Sequence, residues 1–141
     1  MIEDMDDRVE LEVLKEHVIP ILIEERNRLI WALRLQLGLE PISRLVEFYR
    51  ASLAQLRAEV KQKYPDPTDK ERMQEYRHDP KVKEIRQTNR TLVVLGNHLQ
   101  DQLRGIFPRG KVPPVDENRA SLLQTNFKLR QIEKRIMVLS Q

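Results

Sequence analysis

Apolar residues recur along this chain every three or four positions, the spacing that lines one face of an α-helix, and strand-like alternation is almost absent. The pattern predicts an all-α fold of about four main helices in one unit spanning residues 1–141. A first helix is expected from about Asp6 to Leu37, with Asp4, Asp6 and Asp7 favourable at its positive end and Pro20 bending or dividing it. Gly38 reads as a stop and Pro41 as the first turn of a second helix, about 41–63. Along that helix Ile42, Leu45, Val46, Tyr49, Leu53, Leu56 and Val60 make an apolar stripe, beside a flat strip of Ala51, Ala54 and Ala58. Pro65 and Pro67 end it, Thr68 can cap a short helix over 68–77, and Asp79-Pro80 signals the next start.

A third long helix, about 79–106, puts Ile85, Leu92, Leu95, Leu99, Leu103 and Ile106 on one face, with Gly96 toward it for close packing. The proline-rich connection FPRGKVPPVDEN follows. A fourth helix, about 116–139, has Leu122, Leu129, Ile132, Ile136 and Leu139 on its core side. The stretch HVIPILIEERNRLIWALRLQL, residues 17–37, departs from this one-sided pattern, being apolar on nearly every side. A continuous helix over 6–37 would be about 45–50 Å long, more than the neighbours in so short a chain can cover. Part of its surface is therefore expected to meet another subunit. The expected interface residues are Ile19, Ile23, Ile30, Trp31, Leu35 and Leu37, together with Ala51, Ala54 and Ala58; an ordinary central helix of a bundle is the other reading.

Composition narrows the chemistry. The chain has no cysteine, which removes disulfides, thiolate metal sites and cysteine nucleophiles. The acidic start MIEDMDDRVE lacks the order of a secretory signal, and Glu24, Glu25, Arg26 and Arg28 interrupt the only candidate membrane span, so a soluble chain is expected. Four glycines, 33% charged residues and no cysteine fit a thermophilic source.

Catalytic patterns are thin. Of the three histidines, His17 lies seven residues from Glu24, about 10 Å of helical rise and too far to share a metal. Glu75 and His78 have the Glu-x-x-His spacing of di-iron helical proteins, but the second copy those need is missing. Glu24 and Glu25 read as solvated or paired with Arg28. No enzyme, metal or cofactor is expected.

The polar faces say more. Lys83, Arg86, Arg90, Asn97 and Arg104 cluster opposite the leucines of the third helix, with Asp101 at one edge. Gln124, Lys128, Gln131 and Arg135 run along the fourth helix without an acid, Arg50, Arg57 and Lys61 flank the stripe of the second, and Arg109 and Lys111 centre the connection. Elongated ridges of this kind suit a phosphate backbone: Arg and Lys displace counterions, and Gln and Asn add hydrogen bonds that read no sequence. Exposed aromatics are too few for a single-strand stacking surface, so a duplex is the expected ligand, DNA before RNA. The net charge of +3 is modest, and an ordinary solvated helix face is the competing reading of each ridge.

In overall character the chain resembles the major capsid proteins of filamentous archaeal double-stranded DNA viruses: small and cysteine-free, with bent long helices, Arg/Gln/Asn ridges and the apolar helix of residues 17–37. The resemblance implies a virion protein that forms homo-oligomers or pairs with a related helical chain and wraps double-stranded DNA, with its ridges toward the DNA and Ile19–Leu37 knitting subunits together. Without it, a cytoplasmic location is expected; the readings that compete with duplex coating are a helical adaptor or regulatory subunit that contacts no nucleic acid and a small helical hydrolase that acts through carboxylates.

Overall fold

The computed structural model describes residues 2–66, 68 and 70–141, with side chains from residue 6 onward. The fold is all-α: α1 (Ile2–Val13), a π-helical turn (Leu14–Val18), α2 (Ile19–Lys63), α3 (Lys70–His78), α4 (Pro80–Ile106) and α5 (Val115–Leu139), with no strand among the described residues. The Asp4 side chain and Pro67 lie outside the described residues.

Local chemistry explains most boundaries. Asp79 opens α4, accepting the Lys81 N–H on its carboxylate at 2.8 Å, and Pro80 takes the first helical position, where no N–H is needed. Thr68, expected as a cap, instead donates its backbone N–H and its hydroxyl to the Asp66 carboxylate at 3.0 and 2.9 Å. Asp116 and Glu117 occupy the first turn of α5, where carboxylates face the positive end of the helix.

The irregularity expected at Pro20 takes the form of the π-helical turn just before it. In a regular α-turn the Pro20 ring would meet the Glu16 carbonyl. The wider turn, closed by the Ile19 N–H on the Leu14 carbonyl, makes room for it.

The break expected at Gly38–Pro41 is corrected: both residues lie inside α2, which runs unbroken for 45 residues. Pro41 is exposed, so the carbonyl that loses its donor there can turn to water. Packing against α4 holds the helix through this point. A Cβ on Gly38 would lie 3.9 Å from Leu99, and one on Gly96 only 3.4 Å from Ile42. Tertiary contact thus outweighs a propensity cost of about 1 kcal/mol for a helical glycine.

Contacts divide the chain into two compact units, where the sequence reading has one over 1–141: unit 1 comprises residues 1–36 and 103–141, and unit 2 residues 37–102. In unit 1 the buried apolar side chains are Leu29, Ala32, Leu33, Leu35, Leu103 and Leu129. A buried polar knot supports them. Gln36 donates to the Pro113 carbonyl at 2.7 Å, while Asn118, 1% exposed, donates to Gln36 Oε1 at 2.9 Å and to the same carbonyl at 3.4 Å. Arg28 donates to the Ile106 carbonyl at the end of α4, lies 5.2 Å from the Phe107 ring centroid and pairs with Glu25 at 2.7 Å. Among the described residues of unit 2, only Tyr76 and Val82 are buried, and the remaining stripe residues of α2 and α4 there are half-buried or exposed. Leu45 and Leu95, expected in the core, are exposed.

The surface is large for the mass. The chain exposes 11041 Å², whereas two separate compact units of half its 16.8 kDa would together expose about 9,200 Å². The surplus is about 1,800 Å². Exposed apolar side chains account for much of its character: Ile21, Phe48, Val94, Leu123, Phe127 and Met137 are each more than half exposed. Among the described residues, no helix is long and apolar enough to cross a membrane.

Candidate nucleic-acid interface

All fourteen ridge residues expected from the sequence are exposed. The fold sorts them into two sets, one on each unit.

On unit 2, Arg57 and Lys61 of α2 and Arg86 of α4 come together around α3 in a cleft of about 470 Å³. Tyr76, 8% exposed, forms its centre, with the Arg57 and Arg86 guanidinium carbons 5.3 and 5.0 Å from the ring centroid. Cation–π attraction of this kind holds two otherwise mobile arginines over one ring. Arg72 and Arg77 of α3 complete the basic lining. Neither was singled out from the sequence, yet the signal was there: Arg72, Met73, Tyr76 and Arg77 fall on one face of a helix by their spacing. Arg50 and Asn97 face a separate, shallower depression of about 250 Å³ that Glu47 also lines. Lys83 and Arg90 are exposed on α4 outside both.

On unit 1, Arg104, Arg109 and Lys111 are exposed at the end of α4 and along the connection, and Gln124, Lys128 and Gln131 along α5. Arg135 leaves this ridge. Its Nε and Nη2 donate to the two carboxylate oxygens of Glu10 at 2.8 and 2.9 Å, tying α5 to α1. That hydrogen bonding holds the Glu10 carboxyl below the usual glutamate range and raises Arg135. A depressed carboxylate contributes stability above its ordinary pKa of 4.5 and loses it as pH falls through the lower folded-state value. Amide protection of residues 9–13, corrected for intrinsic exchange, is therefore expected to drop below about pH 4.5 in the wild-type chain. In Glu10→Gln it should be lower at neutral pH and flat across that range. Equal pH dependence in both chains would show that the pair does not hold α1.

The expected interface residues divide as well. Trp31, Leu37, Ala51, Ala54 and Ala58 are exposed, and Ile19, Ile23 and Ile30 half-buried. Leu35 is corrected: at 6% exposure it belongs to the core of unit 1 and has no surface to offer another subunit. Further exposed apolar residues went unremarked in the sequence: Phe48, beside the expected Leu37, Ala51 and Ala58 on α2, and Leu123, Phe127 and Met137 on α5. On α2, Leu37, Pro41, Arg44, Phe48, Ala51, Gln55 and Ala58 alternate four- and three-residue steps, the seam spacing of a coiled coil, and all are exposed. On α5, Leu123, Phe127 and Met137 stand exposed away from the buried Asn118–Thr125–Leu129 side. Their spacing would have revealed both, but each helix already had a stronger stripe that claimed the core.

Of the carboxylates weighed for catalysis, Glu24 is exposed and the other two have cationic partners. Glu75 accepts from Lys63 Nζ at 3.0 Å and from the Tyr64 hydroxyl, which holds it below the usual range, and Glu25 pairs with Arg28. Among the described residues, no group of three or more histidines and carboxylates gathers as metal ligands would. Comparison with known proteins finds no match to any family model, curated protein or solved structure.

Proposed function

We propose that this chain is a non-enzymatic structural protein that self-associates, or pairs with a related helical chain, and coats double-stranded nucleic acid through sequence-independent backbone contacts. The observation that carries the reading is the surplus surface. An excess of about 1,800 Å² over two compact units is more than the roughly 800 Å² each partner gives to a standard interface. Its exposed apolar seams are the part that association would cover. The basic residues left at the surface on α2, α4 and α5 suit phosphate oxygens, with DNA the first candidate. The resemblance to capsid proteins of filamentous archaeal viruses supplies a setting for such a coat, in which the chain would reside in a virion.

Binding to a duplex of arbitrary sequence, followed by anisotropy, tests this reading. For an assembly unit making six to ten phosphate contacts, affinity should fall about 10³–10⁵-fold between 50 and 200 mM salt. The triple substitution Arg86→Ala, Arg90→Ala and Arg104→Ala should weaken binding at least about tenfold with helicity retained. No binding at low salt would remove the nucleic-acid half and leave a helical adaptor. Binding that ignores salt would overturn the backbone contacts, and binding that survives the triple substitution unchanged would count against the α4 ridge.

A further inference from the structure

We infer that the cleft around Tyr76 is a built seat for a phosphate group. The inference rests on the coating reading and makes it specific: this cleft, rather than the long ridges, is where unit 2 grips the backbone of a duplex.

Four cations from three helices, Arg57, Lys61, Arg77 and Arg86, line one concavity beside Arg72, and no acid among the described residues lines it with them. Like charges brought together in this way repel, and each is worth more to an anion that enters than to its neighbours. Two of the acids nearby have partners outside the cleft. Glu75 turns to Lys63 and Tyr64, and Asp66 accepts from Thr68. Two of the arginines are also pre-placed, since Arg57 and Arg86 rest against the ring of a buried tyrosine. Side chains already fixed lose less freedom when they close on a ligand, and the planar guanidinium fork matches phosphate oxygens. The remaining lining, Val60 and Met73, is apolar and offers the anion no competing acceptor. A volume of about 470 Å³ admits a phosphate with its flanking sugar, which fits a backbone and selects no base.

The test uses the full chain, a 20-base-pair duplex of about that length and pyrophosphate as the free-phosphate probe. Arg57→Gln with Arg86→Gln should weaken duplex binding more than about tenfold and lower the salt slope by about two, one per lost phosphate contact. Because those arginines also cover Tyr76, a second variant, Lys61→Gln with Arg77→Gln, changes the lining without touching the ring stack. It should show the same direction of loss. Unchanged affinity and salt slope in both variants would overturn the cleft as the grip while leaving duplex coating intact. Pyrophosphate shifting the Tyr76 ring resonances in a chain that binds no duplex would instead sustain the phosphate seat and defeat the coating reading. Response to neither probe would overturn both.

Discussion

Replacing Leu37 and Phe48 together by glutamate is expected to leave the chain monomeric at concentrations where the wild-type chain associates. Both side chains stand exposed on the same line of α2, 47% and 63% open to solvent, with Ala51 and Ala58 continuing it as a flat surface. The alternating four- and three-residue spacing of that line is the one by which two helices meet along a shared seam. Burying a Leu or Phe at such a seam is worth about 1.5–3 kcal/mol each, and a carboxylate put in its place adds the cost of desolvating a charge. Losing two should raise the dissociation constant by more than about a hundredfold, which sedimentation across a concentration series would detect. Both positions are at the surface, so helicity should hold. A wild-type chain that is itself monomeric at the highest concentration would end the proposal of self-association. Unchanged association in the double variant would move the interface to the Leu123–Phe127 face of α5.

Asn118→Ala should cost unit 1 about 1–3 kcal/mol, because the change strands a partner rather than merely deleting a bond. The Asn118 amide is almost wholly buried and satisfies both Gln36 Oε1 and the Pro113 carbonyl, so its removal leaves the Gln36 oxygen without a donor in a partly buried place. Gln36→Leu removes that acceptor but also the 2.7 Å donor to the Pro113 carbonyl, so the double variant should lose less than the sum of the two single losses; additive losses would show that the two side chains do not act together. Chemical unfolding followed by amide exchange in α5 is the suitable measurement, since a chain of two units need not unfold in a single step. A loss under about 0.3 kcal/mol would mean that the knot is wet and contributes little.

Much of the helical framework could be read from residue order because it rests on local chemistry. Asp79-Pro80 starts α4 by a cap and a missing donor, and the 3.6-residue rhythm of α4 and α5 marks their extents to within a residue. The ridges were visible for the same reason, since residues three and four apart on a helix must share a face. What misled was punctuation overridden by packing. Gly38 and Pro41 carry genuine stop and start propensities, but these amount to a few kcal/mol at most, and the close approach of Gly38 and Gly96 to the facing helix outweighs them. Leu35 was misplaced because a helix apolar on all sides does not announce which side its own unit will claim.

Residue order by itself thus determined that the chain is helical, where α4 and α5 begin and end, and that cations line the outer faces of three helices. Only the tertiary structure decided that α2 runs through its own stop signal. Only it brought Arg57, Tyr76 and Arg86 to one cleft, joined Gln36 to Asn118 across 82 positions, and set Arg135 on Glu10 instead of leaving it to a polyanion. The physical reason is range. Periodicity and capping act within about one helical turn, whereas a cleft, a buried knot or an ion pair between helices depends on which faces meet, and that is settled by the packing of the whole unit.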